Sequence, residues 1–452
     1  MLERTFREFH YDSLDALREE TQALGLELPF VENATVLGTP LTVKCGAAEW
    51  RLPNRLACHP MEGSDGNADG TPGPLTIRRY ERFAAGGAGL IWFEAVAVVP
   101  EGKASPNQLA INADNFQAFA ALADRIREVA ADTHGAAHRP VLLMQLTHSG
   151  RFSKPDGKPA AIIACRNPYL DERTKVDDTT VAITDAQLAD LVERFVEAAC
   201  LAKRAGFDGV DLKSCHRYLA SELLSAFTRD GQYGGSYENR TRFLLEVADR
   251  VHAACGDDFL LGSRVNLYDG IEWPYGWGVD REDVGRPDYA EPVRLAQQLH
   301  DRGVRLLNVT MGTPYYNPHV NRPYDRGGYV PPEHPLIGTA RLLEGARTVG
   351  RAVPGMAIVG TGYTWVRQYA AQMAAGAVEQ GYASVVGFGR QAFAYPDFAD
   401  DMLRHGALAK EKCCITCGKC AEILRAGGTS GCVIRDAGVY APIYKACCAP
   451  KG

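Results

Sequence analysis

No stretch of the 452-residue sequence approaches the roughly 20 consecutive apolar residues of a membrane span. The opening MLERTFREFHYDSLD is charged and lacks the apolar core of a secretory signal. Together these absences predict a cytoplasmic chain with no membrane partner. Excess positive charge is missing too. Lys+Arg number 49 and Asp+Glu 55, a net charge of −6, which argues against a nucleic-acid or anionic-membrane surface. No GxGxxG follows a strand-like run with an acidic residue about 20 positions on, so no dinucleotide-binding domain, and no FAD, is expected in this chain. Cysteine, in contrast, is abundant and unevenly placed. Cys45, Cys58, Cys165, Cys200, Cys215 and Cys255 are scattered, whereas Cys413, Cys414, Cys417, Cys420, Cys432, Cys447 and Cys448 crowd the last 40 residues. A terminal cluster points to a metal site in a reducing compartment rather than to disulfides.

Residues 1–41 form an N-terminal extension in which Asp12-Ser13 caps a helix running to about Ala23, stopped by Gly25 and Pro29. This extension is expected to cover the bottom of the main domain or to build a homo-oligomer interface. From about residue 54 to 400, short apolar runs alternate with amphipathic stretches. The runs are 55–61, 89–99, 140–146, 209–212, 259–265, 305–311, 356–362 and 384–390. Helix-like segments lie between them, with Thr184-Asp185 and Thr364 at N-cap positions. Eight such runs predict parallel strands joined by crossover helices, the number that closes a (β/α)8 TIM barrel. An open doubly wound sheet is the rival architecture. The expected domains are the extension 1–41, a barrel over 42–405 and a Cys-rich segment over 406–452. In a barrel, active residues follow the C-terminal ends of the strands. The stretch 313–333, rich in aromatics, Pro and Gly, then reads as a loop over the mouth.

Three motifs carry chemistry. Cys414-x2-Cys417-x2-Cys420-x11-Cys432 offers three thiolates on one loop and a fourth after a helix-sized spacer, a set suited to a cubane iron–sulfur cluster. A four-cysteine zinc site is the plainer alternative, though such sites more often pair two separated CxxC units. Cys413 competes with Cys414 but breaks the spacing, and Cys447 and Cys448 read as spare thiols or partner contacts. Gly360-Thr361-Gly362 and Gly387-Phe388-Gly389-Arg390 follow the last two runs, where barrel backbone N–H groups hold phosphate. They could equally be ordinary tight turns. Lys213, His216 and Tyr218 follow the fourth run and supply donors and a phenol able to polarise a carbonyl and deliver a proton. Away from a barrel mouth they would be a solvated helix start.

These residues carry a resemblance. NRLACHPM (54–61), residues 80–111, MQLTHSGR (144–151) and above all VDLKSCHRYLASELLSAFTRDGQYGGSYENRTRFL (210–244) resemble the old yellow enzyme family of flavin oxidoreductases. GTGY (360–363) and GFGR (387–390) resemble its phosphate end, and the cysteines its iron–sulfur branch, which includes dienoyl-CoA reductase and trimethylamine dehydrogenase. The resemblance implies a barrel holding FMN, with a 4Fe-4S cluster on Cys414, Cys417, Cys420 and Cys432. It implies backbone contacts to the flavin from Pro60, Met61 and Ala95. It puts Gln145 at the pyrimidine edge and Arg264 near N1–C2=O, where a cation stabilises the anionic reduced flavin. Gly362, Tyr363, Gly389 and Arg390 fall on the phosphate site, Tyr218 on the proton-donating tyrosine, and Lys213 and His216 on the pair that grips the substrate carbonyl.

Departures from the family sharpen the expectation. Lys213 replaces the usual histidine, and Glu62 follows Pro-Met where a small or thiol residue is common. A lone carboxylate would oppose flavin reduction, so Lys213 and Glu62 are predicted to be neighbours within about 6 Å. Tyr315, Tyr316 and His319 in the 313–333 loop are candidates for substrate contact or a second donor. The multidomain relatives continue into reductase domains, which implies that electrons here come from NAD(P)H directly or from a separate flavoprotein or ferredoxin. The expected activity is reduction of the C=C bond of an α,β-unsaturated carbonyl compound. The alternatives are oxidative amine demethylation, with WPYGW (273–277) as aromatic walls, and a non-catalytic electron-transfer or redox-sensing subunit.

Overall fold

The structure, a computed structural model, describes residues 6–448. Eight parallel strands close a barrel in chain order: β1 (Leu56–Cys58), β2 (Leu90–Ala97), β3 (Val141–Thr147), β4 (Gly209–Leu212), β5 (Leu260–Asn266), β6 (Val304–Thr310), β7 (Ala357–Gly360) and β8 (Val385–Phe388), with β8 pairing back onto β1. Closure removes the open-sheet alternative. Each run forms its strand because it is predominantly apolar and buried on both faces, as β2 and β3 are along their whole length. The crossover helices fall where the amphipathic segments predicted them. Thr184 caps the helix Asp185–Arg204, accepting from Gln187 N at 3.2 Å, while Gln187 Oε1 accepts from Thr184 N at 2.9 Å. Thr364 caps nothing: it lies inside a 3₁₀ turn, Tyr363–Tyr369, that begins after Gly362 at φ 109°.

The bottom of the barrel is plugged by an antiparallel hairpin, Leu41–Cys45 with Ala48–Leu52. Val43, Trp50 and Leu52 pack against Leu90, Trp92, Leu143 and Leu260. Sequence reasoning offered the N-terminal extension this floor or a homo-oligomer interface, and the structure does not put it at the floor. Its helix, Leu14–Ala23, is capped by Ser13, whose side chain accepts from Ala16 N at 3.1 Å. The extension lies outside the barrel, with Val31 N donating to Gln372 O at 3.3 Å. It then climbs towards the mouth, where the Phe9 ring meets Trp365 at 5.4 Å and Phe9 N donates to Asp325 at 2.8 Å. It therefore braces the 313–333 loop rather than the barrel floor.

After the barrel, helices Lys419–Arg425 and Ala437–Cys448 share a small core of Ile423, Val433 and Tyr440. Asp436 ties this segment to the barrel helix Pro74–Ala85, accepting from Arg78 at 2.7 Å and Arg82 at 2.5 Å. The helix Lys419–Arg425 thereby becomes one wall of the mouth. Among the described residues no helix is long and apolar enough to cross a membrane.

Candidate active site at the barrel mouth

The strand ends open into one cavity of about 1290 Å³ that includes its open mouth. Pro60, Met61, Gln145, Lys213, His216, Tyr218, Arg264, Gly362, Gly389 and Arg390 line it, so most of the residues singled out from sequence converge. Ala95 and Tyr363 do not line it. Ala95 is buried within β2, and Tyr363 turns inward against Phe388 at 6.0 Å.

The turn after β4 is bent to present three side chains to the cavity. His216 and Arg217 both adopt left-handed backbone, φ 62° and 65°, a conformation costing non-glycine residues roughly 1–2 kcal/mol each. Two contacts hold it: His216 N donates to Asn266 Oδ1 at 3.3 Å, and the fully buried Arg217 pairs with Asp269 at 2.9 Å. Lys213 Nζ lies 2.8 Å from Glu62 Oε1, the predicted neighbour, and 3.8 Å from the centroid of the Tyr218 ring. The Tyr218 hydroxyl is 3.3 Å from Glu62 Oε1 and 2.9 Å from the Tyr315 hydroxyl. Burial, then the charge of Glu62, pushes the Tyr218 phenol well above its ordinary range and keeps it protonated. Burial, then the cations Arg264 and Lys213, pushes His216 well below its ordinary range and keeps it neutral. Asn321 Nδ2 donates to the Met311 carbonyl at 3.1 Å, which identifies that end as the amide NH2. The same nitrogen lies 3.0 Å from His216 Nε2, which therefore accepts and leaves the ring proton on Nδ1.

Deeper in, the buried Asp211 carboxylate organises the floor. It accepts from Gln145 Nε2 at 2.5 Å, Trp92 Nε1 at 2.7 Å and Arg264 N at 2.6 Å. Gln145 is thus oriented with its amide oxygen as the free group. Arg264 lines the cavity, and its Nε is buried without a hydrogen-bond partner.

At the other end the backbone comes close to its neighbours. A Cβ on Gly389 would fall 2.8 Å from Met61 Sδ, and one on Gly387 would overlap the His59 ring. Arg390 Nε is buried without a partner, and so are Arg322 Nε and Nη1. Buried donors left without a partner cost free energy, so two half-buried guanidinium groups facing one cavity suit an anion. Sequence reasoning missed Arg322, whose only signal was its place in the 313–333 loop. From the same loop Tyr315 reaches the cavity, stacked on Phe152 at 4.0 Å. Tyr316 instead lies under Arg173, and His319 contacts Tyr329 at 2.5 Å. Arg425, Leu424 and Ala421 complete the outer wall, another contribution not foreseen.

Cys414, Cys417, Cys420 and Cys432 line a second cavity of about 370 Å³, which shares Arg390 and Cys420 with the first. Two backbone N–H groups donate to sulfur, Thr416 N to Cys414 at 3.4 Å and Arg435 N to Cys432 at 3.2 Å. No three of these sulfurs lie within 4.8 Å of one another. A tetrahedral zinc with Zn–S near 2.3 Å would place its sulfurs about 3.8 Å apart. Cys413 points elsewhere, its sulfur on the Ala409 carbonyl at 3.3 Å.

Residues 37–285 match the model of the NADH:flavin oxidoreductase / NADH oxidase family. The chain belongs to this family. It is 34% identical over 282 residues to an NADPH dehydrogenase of Bacillus pumilus (strain SAFR-032), covering 62% of this chain and 74% of that one. It is 31% identical over 269 residues to an NADH oxidase of Thermoanaerobacter brockii, covering 58% of this chain but only 37% of that one. Among solved structures, a 2-naphthoyl-CoA reductase complex with 2-naphthoyl-CoA superposes with a TM-score of 0.70 at 21% identity, covering 89% of this chain and 57% of that chain. Morphinone reductase in complex with tetrahydroNAD gives a TM-score of 0.58 at 26% identity, covering 83% and 92%. Both share the barrel fold. The family's chemistry is flavin-dependent, NAD(P)H-linked oxidoreduction, and the open, cation-lined mouth is where this fold would carry it.

Proposed function

We propose that the protein is an FMN-dependent ene-reductase acting on an α,β-unsaturated carbonyl compound. The observation that carries this reading is the Tyr218 phenol, held protonated between Glu62 and Tyr315 in the same cavity as Gln145 and Arg264. FMN held in this cavity would supply hydride transfer between NAD(P)H and the C=C bond. Gln145 offers its free amide oxygen to the pyrimidine edge, and Arg264 a cation beside N1–C2=O. Arg390 and Arg322, with the backbone of Gly362 and Gly389, receive the phosphate. Pro60 and Met61 line the flavin face. His216, with its proton on Nδ1, and Lys213 polarise the carbonyl, and Tyr218 gives its proton to the α-carbon. Names among the proteins of like fold, 2-naphthoyl-CoA reductase and morphinone reductase, agree with reduction as the direction.

Cys414, Cys417, Cys420 and Cys432 are proposed to hold a 4Fe-4S cluster, which would supply one-electron transfer beside the flavin site. The tight Cys-x2-Cys-x2-Cys triplet, with the fourth cysteine lining the same cavity, supports that ligand set over zinc. Amine oxidation is less well supported. Trp273 is exposed and outside the cavity, and the cavity carries Lys213, Arg264, Arg322, Arg390 and Arg425, which repel an alkylammonium. A purely electron-transferring or sensing subunit would leave the Tyr218 arrangement without use. The test is anaerobic. NAD(P)H is expected to bleach the flavin, and an enoate, enone or enoyl thioester to restore its colour with formation of the saturated product. A flavin reoxidised by none of these acceptors would overturn the reading.

A further inference from the structure

We propose that Cys45, His252 and Asp257 form a zinc site that clips the hairpin beneath the barrel to the helix Tyr237–Cys255, at the end opposite the mouth. One potential ligand atom from each residue lies within 4.8 Å of the others, and no second such group of three His, Cys, Asp or Glu residues occurs among the described residues. The three come from separate places: the end of the first hairpin strand, the last turn of the helix, and the turn that follows it.

The spacing is that of ligands. His252 Nε2 and Asp257 Oδ1 are 3.2 Å apart. Two ligands at about 2.0–2.1 Å from a tetrahedral ion stand roughly 3.3 Å from each other. Nothing else among the described residues uses these groups well. The Cys45 thiol has only the Gly303 carbonyl, at 3.9 Å. Two glycines keep the space open. A Cβ on Gly303 would fall 2.8 Å from His252 Nδ1, and one on Gly46 would fall 2.6 Å from Asp257 Oδ2. Both have positive φ, 88° and 56°, the backbone that glycine adopts without strain. Arg305, the nearby cation, is turned to the carbonyls of His300 at 2.6 Å and Val304 at 3.1 Å.

A thiolate, an imidazole and a carboxylate select zinc over magnesium or calcium. Cys45 is buried and Asp257 exposed, so an ion arrives from the solvent side and water completes the tetrahedron. Binding releases the thiol proton of Cys45 to solvent. The site is independent of the oxidoreductase chemistry and holds the barrel plug in place.

The test compares the holoenzyme with Cys45→Ala, His252→Gln and Asp257→Asn, each exposed to zinc, freed of excess ion and analysed for zinc, iron and flavin. The wild-type protein is expected to retain one more equivalent of zinc than each variant, with iron and flavin equal in all four. Cobalt offered in place of zinc is expected to give a thiolate-to-metal charge-transfer band that Cys45→Ala loses. All four proteins share the C-terminal cysteines, so the difference does not depend on what those hold. Should Cys45→Ala fail to fold, His252→Gln and Asp257→Asn, which change more exposed side chains, carry the test alone. Equal zinc in the wild type and these two variants overturns the proposal.

Discussion

The two ends of the mouth cavity are built on opposite electrostatic plans. Near Tyr218 the charges are matched: Lys213 pairs with Glu62 at 2.8 Å, and the phenol has two oxygen-bearing neighbours. Near the last two strands they are not. Arg322 and Arg390 have buried donor atoms with no partner, and Arg264, on the floor between, is the same. A matched end can work by placing one proton, because nothing there demands a counter-ion. An unmatched end stores electrostatic free energy that only an arriving anion releases. The difference divides the cavity into a half for chemistry and a half for holding.

The strongest way to break this division is Tyr218→Phe. It should lower the rate of C=C reduction by about 10²–10⁴-fold, the usual contribution of a general acid, and leave flavin reduction by NAD(P)H unchanged. Stopped-flow measurement of the two half-reactions separates them. Equal loss in both would mean that Tyr218 belongs to the holding half. Next in size are Arg390→Ala and Arg322→Ala. Each removes a charge-assisted hydrogen bond worth about 1.5–3 kcal/mol, which corresponds to roughly ten- to hundredfold weaker flavin retention by equilibrium dialysis. Lys213→Met, at the matched end, should retain flavin like the wild type. If Arg322→Ala also does, its cation serves a different anion. Tyr315→Phe is smaller again. It takes one hydrogen bond from the Tyr218 hydroxyl, about 0.5–1.5 kcal/mol, and should slow turnover roughly two- to tenfold.

Both halves were legible where their residues directly follow a strand, and less so where they arrive from the long loop or the C-terminal helix. Glycine turns, Arg390 and the four cysteines are local signals, because backbone geometry and ligand spacing are written in neighbouring positions. The eight apolar runs were equally plain, since a strand buried on both faces is predominantly apolar rather than alternating. What escaped depended on distant segments meeting. The hairpin 41–52 lies outside the eight runs, and only the structure puts its Trp50 under the barrel. Arg322 and Arg425 reach the cavity from a loop and a C-terminal helix whose paths no periodicity fixes, and of the three loop candidates only Tyr315 lines it. Tyr316 and His319 share the composition of that loop but face away from the site. The Lys213–Glu62 contact was foreseeable only because an unpaired carboxylate beside a flavin would have been a physical contradiction.

At neutral pH the smallest effect is expected from Glu62→Gln, and its value lies in its sign. Tyr218 must be protonated to donate, so turnover falls as pH rises through its pKa. In the native protein burial holds that pKa well above the ordinary range, and the charge of Glu62 raises it further. Glutamine keeps the shape but removes the negative charge, while the Lys213 cation remains 3.8 Å from the ring centroid. Both changes favour the tyrosinate. The alkaline limb of the kcat profile should therefore move to lower pH, by about 1–3 units if the charge acts at the usual strength of a close neighbour. Turnover at pH 7 should change little, because Tyr218 would still be protonated there. An alkaline limb that stays in place, or moves up, would show that the matched end does not set the state of its proton donor through Glu62.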